Sequence, residues 1–274
     1  MSASFHISAF ADEIAPDSTE QIAVLKTNAI AFIEIRRVDG VSILDLSEQE
    51  VSVFRDQLEI AGIRTSAIAS PIGKVQIRSD LDAHFQRFQI AIERAHQFDT
   101  RFVRLFSFYH EGEQTEAVRD DVLHQLHRMT ELAEREGVIL LHENERGIYG
   151  DCPERCVDLL SSVNNPHLRA TFDTANFLLS GADPLSAWEL LQDYVDYFHI
   201  KDAERTTGRI VPAGYGDGEL PILLQRALQI GFRGFVSVEP HLQEKDPDFG
   251  GNNAQRFVTA VTALRGLVNE LTAD

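Results

Sequence analysis

VILLHE (138–143), LRATFD (168–173), VDYFHIK (195–201) and GFVSVE (234–239) are four short apolar runs that close on or near a polar residue. Each is rich in β-branched or aromatic residues and precedes a helical stretch, so each reads as a strand. The polar residues at their ends are Glu143, Asp173, His199 and Glu239, separated by 30, 26 and 40 residues. Each separation is about the length of one strand–loop–helix–loop unit. A parallel sheet curled into a barrel brings such strand ends to one mouth. Three carboxylates and one imidazole meeting there make the donor set of a divalent-metal site.

The same rhythm extends back to the start of the chain. FHISAF (5–10), AFIEIR (31–36), IRTSAIAS (63–70) and RFVRLFSF (101–108) read as strands, followed by helices at 17–28, 48–61, 80–98 and 114–136. Ser47 with Glu50 makes a capping box for the second of these. Further helices are expected from Pro153, over 174–191, over 219–230 and over 252–271. Eight strand–helix units without a linker or composition break predict one (β/α)8 barrel domain, a TIM barrel, over 1–274. An open doubly wound sheet is the alternative, but the first strand lacks a glycine-rich phosphate loop.

Bulk properties agree. A chain of 274 residues, 43% hydrophobic, is long enough for one large core. No membrane-length apolar run and no cleavable leader pattern occur, so a soluble cytoplasmic protein is expected. The net charge of −18 opposes binding to nucleic acid. Cys152 and Cys156 have no further cysteine with them, and reduced bystander thiols are expected rather than a disulfide or a zinc pair.

Strand phase makes the barrel testable, because alternate residues share a face. Glu143 places Ile139 and Leu141 inward, with His142 outward or toward the neighbouring loop. His199 places Tyr197 and Val195 inward, and Lys201 beyond. Glu239 places Phe235 and Ser237 inward, with His241 past the rim. Asp173 places Thr171 inward, with Arg169 at the far end.

Taken singly, each of the four has an ordinary role open to it: Asp173 in FDTANF as a helix cap, His199 as a core histidine. Their recurrence at strands five to eight, at the face where barrel active sites lie, favours a metal site. Oxygen-rich ligands with one nitrogen favour Mn²⁺, with Mg²⁺, Co²⁺ or Zn²⁺ as alternatives, and leave two octahedral positions for substrate oxygens. Lys201 is placed to donate to a substrate oxygen or to pair with Asp202 or a rim carboxylate. Arg36 is placed to hold a substrate carboxylate, phosphate or hydroxyl, or to pair with Glu34 or Asp39. Glu145 faces substrate hydroxyls or holds Arg146 or Lys201, and Tyr149 and His241 lie on loops over the mouth. Ser70–Lys74 and Phe106–Tyr109 suit a sugar or simple packing. VPAGYGDGELP (211–221) reads as a turn-rich loop rather than a phosphate cradle.

The motifs LHENE (141–145), FDTANF (172–177), FHIKD (198–202) and VSVEPH (236–241) resemble the sugar phosphate isomerase/epimerase families of the xylose-isomerase-like barrel superfamily. The resemblance covers nearly the whole chain and is nearest to ketose 3-epimerases. It implies that Glu143, Asp173, His199 and Glu239 bind the metal, and that Glu143 and Glu239 are the catalytic acid–base pair. It also implies a small-molecule sugar substrate and a homo-dimer or homo-tetramer. One position departs: many relatives carry a histidine where this chain has Asn176, which is retained among the substrate contacts.

The expected reaction removes a proton from carbon beside a carbonyl through an enediolate, with one carboxylate taking the proton and another returning one. Isomerisation or epimerisation of a ketose, keto-sugar or sugar derivative follows. A dehydratase or lyase acting on a cyclitol or keto-sugar, similar to an inosose dehydratase, is the alternative. An abasic-site endonuclease needs more rim histidines than a chain with Ser70, Ser107, Asn176 and Glu219 at those places, and a non-catalytic sugar-binding barrel requires the metal not to bind.

Overall fold

In the computed structural model, which describes residues 4–272, the eight expected strands form one parallel sheet. They are β1 (Ser4–Ala9), β2 (Phe32–Ile35), β3 (Arg64–Ile68), β4 (Phe102–Leu105), β5 (Ile139–Glu143), β6 (Leu168–Asp173), β7 (Val195–Ile200) and β8 (Arg233–Val238). β1 pairs with β8, and the ladder runs on through β7, β6, β5, β4 and β3 to β2. A parallel bridge between Phe10 and Glu34 joins β1 to β2 and closes the ring. This is a TIM barrel.

The outer helices are α1 (Ser18–Thr27), α2 (Glu48–Ala61), α3 (Leu81–Gln97), α4 (Thr115–Glu136), α5 (Pro153–Val163), α6 (Thr174–Leu179), α7 (Pro184–Leu191), α8 (Leu220–Gln229) and α9 (Asn253–Thr272). Their starts follow local chemistry. Asp17 and Asp80 cap α1 and α3, and Ser47 and Glu50 form the expected capping box of α2. The stretch 174–191, expected as one helix, is two. Gly181 takes a left-handed φ of 89°, and Asp183 and Pro184 then start a fresh helix.

The barrel interior confirms most of the predicted phase. Leu141 and Tyr197 are buried together with Phe102 and Ala67, against Ile139 and Phe235. Phe235 lies 4.9 Å from Phe32, 5.6 Å from Tyr197 and 6.3 Å from Phe102, an aromatic plug below the mouth. Such ring pairs add about 0.5–1.5 kcal/mol each beyond their burial. The alternate residues face the helices: Phe172 and Phe198 pack on Trp188 of α7 at 5.8 and 5.6 Å. Burial on both faces is why these strands read as continuous apolar runs.

Val195 is the exception to the phase. The β6–β7 register slips between Ala170 and Thr171, with Ala170 opposite Val195 and Thr171 opposite Tyr197. The bulge leaves Val195 in the outer core, while Tyr197 and His199 keep the inward face.

Candidate functional site

The register brings the quartet together. His199 lies opposite Asp173 on one side and Ser237 on the other, and Glu143 lies opposite Thr171. Ligand atoms of Glu143, Asp173, His199 and Glu239 all fall within 4.8 Å of one another, and all four residues are buried. Three carboxylate oxygens and one imidazole nitrogen suit a divalent cation.

Two buried atoms carry the fit further. Asp173 Oδ2 and His199 Nδ1 make no hydrogen bond. Asp173 Oδ2 has Lys201 Nζ at 3.0 Å and His199 Nδ1 has Glu143 Oε1 at 3.0 Å, contacts of charge without hydrogen-bond alignment. The remaining atoms are spoken for. Asp173 Oδ1 accepts the Asn176 backbone N–H at 2.9 Å, so this side chain caps α6 and faces the site at once. His199 Nε2 lies 3.1 Å from Glu34 Oε1, and a carboxylate can only accept, so Nε2 carries the proton and Nδ1 is turned to the quartet.

A cationic shell surrounds these acids. Lys201 Nζ reaches Asp173 and Glu239, each at 3.0 Å. Arg36 touches Glu239 at 2.9 Å, Asp12 at 2.8 Å and Glu13 at 3.3 Å, so neither Glu34 nor Asp39 is its partner. Arg104 donates to Glu143 at 3.1 Å and to the Ala69 and Ser70 carbonyls. His241 lies 3.0 Å from Glu13 and 3.3 Å from Glu239. Glu13, Glu239 and His241 also sit close enough to share a cation, but the Arg36 guanidinium already stands among them.

The charges set the ionisation. Burial pushes the Glu143 carboxyl up, but His199 and Arg104 outweigh it and bring it to about 2. Burial acts likewise on Glu239, where Lys201, His241 and Arg36 hold the group well below the carboxylate range. Asp173 goes the other way: burial raises it to about 6 against the pull of Lys201. Burial alone lowers His199, yet Glu143 and Glu34 carry it to about 10. Without a metal, His199 is therefore an imidazolium at neutral pH.

The softer candidates divide. Lys201, Arg36, Glu145 and His241 line a cavity of about 290 Å³ above Glu143 and Glu239. Glu145 pairs with Lys74 at 3.0 Å rather than with Arg146 or Lys201 side chains. Asn176 donates to the Asn144 carbonyl at 2.9 Å and lies 3.5 Å from Glu143 Oε1, at the edge of the quartet. Tyr149 is not brought to the mouth; its hydroxyl donates to Asp158 at 2.9 Å. Cys152 and Cys156 are both free.

Residues with a place in the site that the motifs did not single out are Arg104, Asn144 and Glu34. Arg104 and Glu34 sit in apolar strands, RFVRLF and AFIEIR, at buried positions where an unpaired charge is costly. That incongruity was the available signal. Asn144 ties β5 to β6, donating to the Asp173 carbonyl at 2.9 Å and accepting its N–H at 3.0 Å.

The loop at 211–221 cradles a side chain of its own protein. Asp202, buried, accepts backbone N–H groups of Ala203, Gly214, Gly216 and Gly218 at 2.8–3.1 Å. A Cβ on Gly216 or Gly218 would come within 2.5–2.6 Å of Asp202 Oδ1, which is why glycine stands there. A larger cavity of about 560 Å³ opens at the other end of the barrel, lined by Phe32, Phe98, Phe102 and Phe235. Among the described residues, no grouping suited to a metal lies there.

Known proteins place this geometry in context. A 3-dehydroshikimate dehydratase of Bacillus anthracis is 21% identical over 233 residues, which is 79% of this chain and 78% of that protein. The solved structure of IOLI protein with a bound zinc atom superposes with a TM-score of 0.80 at 17% identity, covering 98% of this chain and 100% of that one. A D-tagatose 3-epimerase-like protein gives 0.79 at 16% identity, covering 97% of this chain and 98% of that one. Residues 22–265 match the family described as xylose isomerase-like TIM barrel, and with the barrel and its rim as described above, the chain belongs to that family.

Proposed function

We propose that the chain is a divalent-metal-dependent isomerase or epimerase that moves a proton on the carbon beside the carbonyl of a ketose, keto-sugar or sugar derivative. The observation that carries this reading is the buried quartet, in which two carboxylates, Glu143 and Glu239, are both held ionised. An ionised carboxylate is ready to accept a proton, so one of the pair removes the proton from carbon, and the other returns one after first collecting it from solvent or from an acid beside it, such as His241 at 3.3 Å from Glu239. Mn²⁺ is the ion we prefer; Glu143, Asp173, His199 and Glu239 would hold it, and when bound it would polarise the substrate carbonyl and the neighbouring hydroxyl.

The chain's own groups do the rest. Arg104 and Asn176 fix Glu143, while Arg36 and His241 fix Glu239. Lys201 lies beside Glu239 on the cavity wall, placed to donate to a substrate oxygen. The family, the epimerase-like neighbour and the zinc-bearing neighbour support an enzyme of this kind.

A dehydratase is the second reading. The same proton abstraction followed by loss of hydroxide needs an acid near the departing oxygen. His241, raised to about 10 chiefly by Glu239 and Glu13 against the opposing effect of burial, is such an acid at the cavity wall. The dehydratase among the relatives favours it too.

Incubating the Mn²⁺-loaded protein with a panel of ketoses and keto-sugars in D₂O tests both. Deuterium entering carbon with an otherwise unchanged formula supports isomerisation or epimerisation, and loss of water supports dehydration. Glu143→Gln is expected to abolish exchange. An unchanged rate in that variant would remove Glu143 from the chemistry.

A further inference from the structure

We propose that the substrate carries a carboxylate and that Arg37, on the hairpin at the mouth, is the residue that receives it. The inference deepens the proton-transfer reading and rests on it for the identity of the site. Six lysine and arginine side chains line the cavity, Arg36, Arg37, Lys74, Arg87, Arg104 and Lys201, together with His241, which is held by Glu13 and Glu239, against four carboxylates, in a protein whose net charge is −18. Most of these cations are spent on carboxylates of the protein, so an anion is favoured over a neutral ligand only at one that is left unpaired.

Pairing shows which cation is free to act. Arg36 is enclosed by Asp12, Glu13 and Glu239. Arg104 and Lys201 face the quartet carboxylates. Lys74 is held by Glu145 at 3.0 Å and Arg87 by Asp45 at 2.8 Å. Arg37 has no carboxylate partner among the described residues, and its guanidinium makes one long hydrogen bond, 3.4 Å, to the Gly40 carbonyl. The role first assigned to Arg36, holding a substrate anion, thus falls to its neighbour.

The hairpin presents Arg37 on a stiff support. Arg37–Val38 pairs antiparallel with Val41–Ser42 across Asp39 and Gly40, whose φ values of 51° and 77° are those of a tight hairpin turn. Asp39 then accepts the Ser18 backbone N–H at 2.8 Å and pins the turn to the start of α1. A single unpaired guanidinium matches a monoanion, and its planar fork matches a carboxylate. A phosphate dianion calls for further free cations or a cradle of N–H groups, and the glycine loop at 214–218 spends its N–H groups on Asp202.

Calorimetry on the Mn²⁺-loaded protein with gluconate, glucitol and glucitol 6-phosphate tests this without turnover, since none of the three has a ketone or aldehyde to enolise. Gluconate is expected to bind at least about tenfold more tightly than glucitol and more tightly than the phosphate. In Arg37→Gln, the gluconate-to-glucitol affinity ratio is expected to fall at least about fivefold, and in Arg37→Lys by less. Equal binding of gluconate and glucitol, tightest binding of the phosphate, or no binding of any of them overturns the proposal. So does a ratio that Arg37→Gln leaves unchanged, because the carboxylate would then be held by the metal. Preference for gluconate without deuterium exchange on any ketone would count against the reaction alone.

Discussion

Glu34 and Lys201 show how single residues govern the quartet without belonging to it. Glu34 fixes the ring of His199 through Nε2, and partners of this type raise the basicity of a metal-binding imidazole. Glu34→Gln keeps the shape and loses the charge, and it is expected to weaken Mn²⁺ binding about tenfold, read by competition with a chelator. Unchanged affinity would reduce Glu34 to a packing residue. Lys201 plays the opposite part, supplying positive charge between Asp173 and Glu239. Lys201→Met leaves two buried carboxylates facing each other and is expected to destabilise the metal-free protein by about 3–5 kcal/mol in urea unfolding. Much of that loss should return on loading with Mn²⁺, whose charge takes the lysine's place; an equal loss with and without the ion would refute it. The quartet itself was legible because each member stands at or beside the end of an apolar strand and keeps the inward face there, even in the strand where Val195 does not. Arg104 was not, because its meaning depends on Glu143 of the next strand, and pairing across strands leaves no mark in a local pattern.

Elements were legible where local chemistry decides them. Asp17, Ser47, Glu50 and Asp80 announce helix starts on their own, and the structure uses all four. The break between α6 and α7 was hidden by a continuous apolar pattern, although Gly181 and the Asp183–Pro184 pair carried its chemistry. The bulge that turns Val195 outward had no sequence mark, since a valine suits the inner and the outer face alike. The glycine loop is an element whose reason lies outside it, in Asp202. Asp202→Ala strips the partner from several backbone N–H groups at once, and is expected to cost about 3 kcal/mol of stability and to lower Tm. A variant as stable as the parent would mean that water replaces the carboxylate without loss.

At the scale of the whole molecule, closing the barrel gathers three acids and a histidine into one buried place, and the metal-free protein must keep that charge tolerable. Protonation of His199 is one means. Its folded value of about 10 lies above the ordinary 6.5, the result of Glu143 and Glu34 overcoming burial, so the stability it lends the metal-free fold is full below about 6.5 and is lost as pH rises through about 10. A metal binding at Nδ1 must displace that proton. Between about pH 6.5 and 10, Mn²⁺ affinity is therefore expected to rise about tenfold per pH unit, with about one proton released per ion. Below about 6 the slope should steepen, because Asp173, raised chiefly by burial, then holds a proton of its own that must also leave. Calorimetric titration in two buffers of different ionisation enthalpy counts these protons directly. A binding enthalpy independent of the buffer at pH 7.5 would show that His199 is already neutral, and that the positive charge balancing the acids comes from Lys201, Arg36 and Arg104 alone.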